Sequence, residues 1–461
     1  MSVRAQCFLS VAVLCICTGC SRDDSKKDRD SSQGDALPAE DIDRPPKPNF
    51  TEPVDYLAWY SARNFDPDWP DGEQIYGEIL AAAEDGTFPM PDGALKKQLS
   101  AAAKASWLAD DKPELGRYLE SLGPHLQSFA KAAEVDDVRW LYDAEFKSWW
   151  FDKWPLSEPT RILTKGTLAE AWMTGDSSPP RAGALLRAWR ITFCDARHVE
   201  YRGGVIPFLL NVAARATIYE SIVNALDETV LKGDDIKKTF DCMIKHDRPG
   251  DLAEAYRFDW MGVLAMLQEL YSGGRFSDAA AKRLGQAEYL PPGGVSLPRP
   301  EKTAKRVDEW FLPFVRLAEK PWAIDAVKEA KALDGREKKI FRHNPILSLY
   351  LAPLSRTYEL GLRCEGMRRG TILTLVIHVF REEHGRWPDT LDACGSDIKD
   401  VRVDPFSGED FVYELRDGTP WLYSVGCDGK DDGGKHDPRW ARRKPGHDYV
   451  FWPVPQTDSG S

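Results

Sequence analysis

Apolar residues recur at helical spacing over most of this chain, and that pattern constrains its fold more than any other feature. Residues 206–226 show it: Ile206, Leu209, Leu210, Ala213, Ile222, Val223 and Leu226 predict one apolar stripe turned towards neighbouring helices. Trp260, Val263, Leu264, Leu267 and Tyr271 repeat the pattern further on. Pro/Gly clusters interrupt it at 177–180, 202–204, 291–294 and 298–300. No fixed repeat period is present, so nothing supports a regular solenoid. Convincing strand alternation is absent before residue 400. The expectation is a mainly α protein whose multi-helix body spans 54–354.

The pattern changes in the last hundred or so residues. A helix is expected over 366–384, with Ile372, Leu375, Val376, Val379 and Phe380 as its apolar face. Gly385 suits the left-handed position after a helix, and Pro388 blocks continuation. Asp404-Pro405 and Ser407-Gly408 then mark a turn. Phe411, Tyr413 and Leu415 alternate as a strand, Asp417-Gly418 closes a hairpin, and Trp421, Tyr423 and Val425 alternate as its partner. A small α+β module with an antiparallel hairpin is therefore expected over 355–461.

This order of signals resembles the globular part of the major pseudopilin of type II secretion (type II secretion system protein G). That family shows a helix ending in Gly-x-Tyr/Trp-Pro, an Asp-Pro turn closed by glycine, a hairpin, and a Tyr-Ser-x-Gly-x-Asp-Gly loop. The matching residues are Gly385, Trp387 and Pro388, then Asp404, Pro405 and Gly408, then Tyr423, Ser424, Gly426, Asp428 and Gly429. True pseudopilins begin with a membrane-spanning helix that packs the filament. Here the related apolar run is broken by His378 and too short to cross a bilayer, so the resemblance implies a borrowed module and not a filament subunit.

The resemblance also implies calcium in the loop after the hairpin, best matched by the Val425 carbonyl, Asp428 and Asp448. Chemistry supports the same expectation. Ca²⁺ takes about 6–8 hard oxygen ligands. Between Val425 and Asp448 the chain offers Asp428, Asp431, Asp432, Asp437 and Asp448, and Gly426, Gly429, Gly433 and Gly434 permit the bends. The expected metal set is Val425, Asp428, Asp431, Asp432 and Asp448. Its spacing is not that of an EF-hand. Arg439, Arg442, Arg443 and Lys444 lie in a stretch longer than the family's and set a basic segment before the last ligand. The competing reading is a solvated acidic turn.

The N-terminus reads as a targeting segment. Arg4 precedes an apolar run over 8–16, far shorter than the ~20 residues of a membrane span. Thr18 and Gly19 then lead into Cys20, which resembles the acylation site of bacterial lipoproteins, although Cys17 stands where that family has an aliphatic residue. Residues 1–20 are thus expected as a lipoprotein signal peptide with Cys20 lipidated, and Ser21 favours the outer membrane by the same resemblance. Residues 21–53, polar, charged and then proline-rich, are expected as a disordered tether.

Composition narrows the function. A net charge of −12 argues against nonspecific nucleic-acid binding. The chain carries 16 tryptophans, of which Trp149, Trp150 and Trp154 cluster; packing explains such residues more simply than sugar stacking does. Cys194, Cys242, Cys364, Cys394 and Cys427 are scattered and odd in number, so no disulfide framework follows, although Cys394 and Cys427 flank one module. HExxH, GxSxG, a P-loop and paired CxxC motifs are missing. His198 and His246 sit near carboxylates and are read as solvated or structural. The expectation is an exported, noncatalytic scaffold or interaction protein, anchored to the membrane by lipid and facing the periplasm or exterior, with an envelope protein or polysaccharide as partner. The alternative is a hydrolase of envelope or extracellular polysaccharide, which would need two carboxylates about 5–10 Å apart in a groove.

Overall fold

The computed structural model describes residues 44–140, 156–174, 182–275, 277, 299–336, 354–395, 398–437 and 448–455. Cys20, the tryptophans at 149, 150 and 154, the breaks at 177–180 and 291–294, and the basic residues at 439–444 lie outside them. Among the described residues the chain is mainly helical, with a small antiparallel sheet near its C-terminus. Twelve helices of eight or more residues are described: α1 Tyr56–Asn64, α2 Gly77–Glu84, α3 Gly93–Ala102, α4 Pro113–Ala132, α5 Ser157–Trp172, α6 Ala182–Glu200, α7 Val205–Asp227, α8 Asp234–His246, α9 Leu252–Leu270, α10 Pro300–Ala318, α11 Ile324–Asp334 and α12 Ser355–His384.

Local chemistry sets several of these ends. Asp92 caps α3 by accepting from the Leu95 N–H at 2.7 Å. Asp251 does the same for α9 through the Glu254 N–H at 2.9 Å. Gly385 ends α12 at φ 68°, and its N–H bonds back to the Arg381 carbonyl.

α7 is the centre of the body. It packs on α5, α6, α9 and α12. By length and hydropathy it would pass as a membrane span, but its buried positions include Asn211 and Arg215, and it serves as a core helix. The stripe expected for it is rotated. Ile206 is 52% exposed and Ala213 is exposed, whereas Phe208, Ile218 and Tyr219 are buried. α7 is apolar round most of its circumference, so hydrophobicity alone did not single out the inward face. In α9 and at its C-cap Tyr271, the expected residues Trp260, Val263, Leu264, Leu267 and Tyr271 are all buried. Trp140, Trp172, Trp189, Trp260 and Trp310 are fully buried packing residues.

Residues 45–53 correct the expected extent of the tether. The Asn49 N–H donates to Gln268 Oε1 at 2.9 Å, and Phe50 is buried edge-on against Tyr271. An aromatic ring with an apolar seat on α9 stabilises that stretch against the body, which polar composition did not reveal.

α12 begins at Ser355, well before the expected 366. It packs on α7, α8 and α11 and also carries the sheet. The sheet order is β3 (Val412–Arg416), β4 (Thr419–Ser424), β5 (Tyr449–Trp452), antiparallel throughout. Two-residue strands β1 (Trp107–Leu108) and β2 (Met173–Thr174) pair in parallel within the body. The hairpin turn falls where expected, with Asp417 at φ 48° and Gly418 at φ 77°. The alternation is less clean than expected. Leu415 is 40% exposed, and β4 buries Leu422, Tyr423 and Ser424 in succession because it is the middle strand.

Candidate functional site

The expected ligand loop follows β4. The Asp404 carboxylate ties the preceding turn to it, accepting from Ser424 Oγ at 2.7 Å, the Phe406 N–H at 3.0 Å and the Val425 N–H at 3.2 Å. Burial pushes the Asp404 carboxyl up to about 6 despite those donors. Val425 then leads into a short 3₁₀ turn, Gly426–Asp428. Gly426, Gly429, Gly433 and Gly434 all take positive φ between 67° and 78°. That conformation suits glycine, so the spacing of glycines was a sound loop signal.

The loop's carboxylates are placed unequally. Asp428 Oδ1 accepts from the Lys430 N–H at 3.1 Å, while its Oδ2 is buried without a hydrogen-bond partner. Asp431 Oδ1 accepts from Tyr423 Oη at 3.0 Å and from the Gly433 N–H at 2.8 Å. Asp448 is the buried anchor: its carboxylate accepts from the N–H groups of Asp432 (3.1 Å) and Gly434 (2.7 Å), and its carbonyl from the Asp437 N–H. Burial raises the Asp448 carboxyl, and the negative charges of Asp431 and Asp432 add to that rise. Asp428, Asp431, Asp432 and Asp448 thus share one loop with Val425. Among the described residues, no three of its carboxylates have ligand atoms within 4.8 Å of one another.

A buried polar cluster in the body was not expected. Arg215 of α7 pairs with Asp247, just past α8, at 3.0 Å, and both side chains are buried. Tyr219 Oη donates to Asp247 at 2.9 Å. On α12, Glu365 accepts from Arg368 at 2.8 and 3.0 Å and from Arg369 at 2.6 Å. Asn211, Arg215, Tyr219, Glu365 and Arg368 line a cavity of about 20 Å³, room for roughly one water molecule. Arg215 Nε and Nη2 and Asn211 Oδ1 have no protein partner there. A cavity of this size suits a single water molecule.

Glu200, at the end of α6, accepts from Asn211 Nδ2 and from the Asp251 N–H. Burial raises its carboxyl to about 7. Because the folded protein then holds a proton more tightly than the unfolded chain, Glu200 lowers stability as pH rises from its ordinary 4.5 through about 7. Glu200→Gln should match the wild type at pH 5 and exceed it at pH 8 by on the order of 1–2 kcal/mol, read by urea denaturation at both pH values. Equal stability at pH 8 would contradict this.

The two histidines are buried, not solvated. His198 Nδ1 lies 3.0 Å from Tyr76 Oη, and its Nε2 lies 3.2 Å from the Asp136 carbonyl. Burial lowers it to about 4, so the ring is neutral and structural. His246 Nδ1 lies 3.8 Å from Cys194 Sγ. The pairing joins residues far apart in the chain and left no signal in local spacing. None of the five body cysteines is in a disulfide, Cys394 and Cys427 included.

The described architecture is thus a helical body joined through one long helix to a three-stranded sheet and a glycine-rich acidic loop. Comparison with known proteins finds no matching family model, curated protein or solved structure.

Proposed function

We propose that this chain is an exported envelope lipoprotein of the noncatalytic scaffold type whose pseudopilin-like C-terminal module binds calcium. The observation that carries the reading is Asp428 Oδ2, a buried carboxylate oxygen without a hydrogen-bond partner, in a loop where the charges of Asp431 and Asp432 also act on Asp448. A divalent cation would supply the missing partner and offset the repulsion. The Val425 carbonyl, Asp428, Asp431, Asp432 and Asp448 are the proposed ligands. The exposed Asp431 and Asp432 side chains would turn to complete the set.

Calcium titrated into the full-length protein should give binding heat at a Kd of ~10⁻⁴–10⁻³ M. At 100-fold above Kd the stabilisation is about 2.7 kcal/mol, a melting shift of roughly 1–3 °C for a chain this long. Asp428→Ala should remove most of the shift, whereas Asp410→Ala, which breaks an exposed pair with Arg402, should keep it. Absence of heat and shift in that range would leave an acidic turn. The anchor has its own test. Metabolic labelling with a fatty-acid analogue should tag the wild type and fail on Cys20→Ser; equal labelling would remove the lipid anchor from the proposal.

A further inference from the structure

We propose that Cys194, His246 and Asp136 form a second metal site, for a divalent cation of the zinc class. One ligand atom from each of the three lies within 4.8 Å of the other two. They come from three separate elements: α6, the C-terminal residue of α8, and the loop after α4. Such convergence is not produced by neighbouring positions on one helix.

The distances suit a shared ion. Zn–S of about 2.3 Å and Zn–N of about 2.0–2.1 Å at a tetrahedral angle place the two ligand atoms about 3.6 Å apart. Cys194 Sγ and His246 Nδ1 are 3.8 Å apart. A thiol and an imidazole would make only a weak hydrogen bond at that length, so the pair is better matched to a common ligand than to each other. The donor set also chooses the metal. Thiolate and imidazole favour zinc over calcium or magnesium, which separates this site from the all-oxygen loop.

The surroundings provide support on one side and access on the other. Cys194 is buried, with 1% of its surface exposed. The Asp136 backbone is held by Arg197 and His198, which both donate to its carbonyl, while its side chain is 74% exposed. Solvent would take the fourth position on that open side. Arg190, Arg197 and Lys245 face His246 and oppose a cation, and Arg197 Nη2 lies 3.9 Å from Asp136 Oδ1. Loss of the Cys194 proton on binding, together with the Asp136 carboxylate, sets two negative charges against them. Cys242, one turn before His246 on α8, is the nearby thiol that would compete by forming a disulfide with Cys194.

The test uses the full-length protein, reduced with a non-thiol reductant, and Co²⁺ and Zn²⁺ as probes. Co²⁺ should give a thiolate-to-metal charge-transfer band that one equivalent of Zn²⁺ removes. Cys194→Ser and His246→Gln should each weaken Zn²⁺ binding at least tenfold, with the band lost in Cys194→Ser. Asp136→Asn, altering an exposed side chain, should leave the metal-free melting temperature unchanged and still weaken binding. A wild type without the band, a band that persists in Cys194→Ser, Asp136→Asn binding as tightly as the wild type, or a Cys194–Cys242 disulfide in mapped peptides of the unreduced protein would each overturn the proposal.

Discussion

Asp247→Ala is expected to lower stability by about 3–5 kcal/mol, a large fraction of what holds a typical protein folded. The reason is what the substitution strands. Arg215 is 3% exposed, and Asp247 is its ion-pair partner at 3.0 Å. Two further guanidinium nitrogens, Nε and Nη2, already lack protein partners. Removing the carboxylate leaves a buried charge without its ion-pair partner, with the Glu200 carboxyl as the remaining acidic neighbour, and it also leaves Tyr219 Oη without its acceptor. Replacing both ends, as Arg215→Met with Asp247→Leu, should recover most of the loss, because the desolvation of both charges is then avoided. Denaturant midpoints of the two variants decide it. An Asp247→Ala protein within about 1 kcal/mol of the wild type would show that the pair is solvated after all.

Gly370→Ala is the second large effect. Gly370 sits in the middle of α12, where a Cβ would lie 2.3–2.5 Å from three ring atoms of Phe451. The ring is buried, edge-on to Phe411 and Tyr449, so it has little room to retreat. Alanine would ordinarily favour a helix interior by ~1 kcal/mol over glycine. Here overpacking should reverse the sign and cost about 1–3 kcal/mol or more, with β5 lifted from α12. Combining it with Phe451→Leu should restore part of the loss by clearing the clash. Calorimetry, with limited proteolysis of the C-terminal sheet, would register both changes. A Gly370→Ala variant as stable as the wild type would mean that Phe451 shifts freely.

What was readable in the sequence follows from how local each signal is. Gly385, the Asp417-Gly418 turn and the loop glycines act through their own backbone angles, and each stands where its chemistry placed it. The face of α7 needed more than a period, because an all-round apolar helix has no preferred side until its neighbours are known. Arg215, Glu200 and Glu365 were missed for a related reason. A buried charge is recognisable by its partner, and Asp247 lies on a different element from Arg215. The third strand shows the same limit: β5 follows a long insertion after β4, and its tie to His436, through the Val450 N–H at 3.1 Å, is a tertiary contact. The acidic loop was legible as a loop. The inward turn of Asp448 and the engagement of Asp431 by Tyr423 were not, since both depend on where β4 and β5 come to rest.

The long helix α12 has a consequence for how this molecule responds to force and to binding. Its 30 residues make a rod of about 45 Å. The rod touches α7, α8 and α11 and also β4 and β5. A load or a ligand applied at the sheet is therefore not absorbed by a hinge; it is borne by the same rod that closes the core. Cutting the chain ahead of Ser355 would strip α7 of one wall and free the sheet from its support, so the two regions should melt as one cooperative unit. Support of the sheet at one end and solidity at the centre are, in this architecture, a single mechanical property.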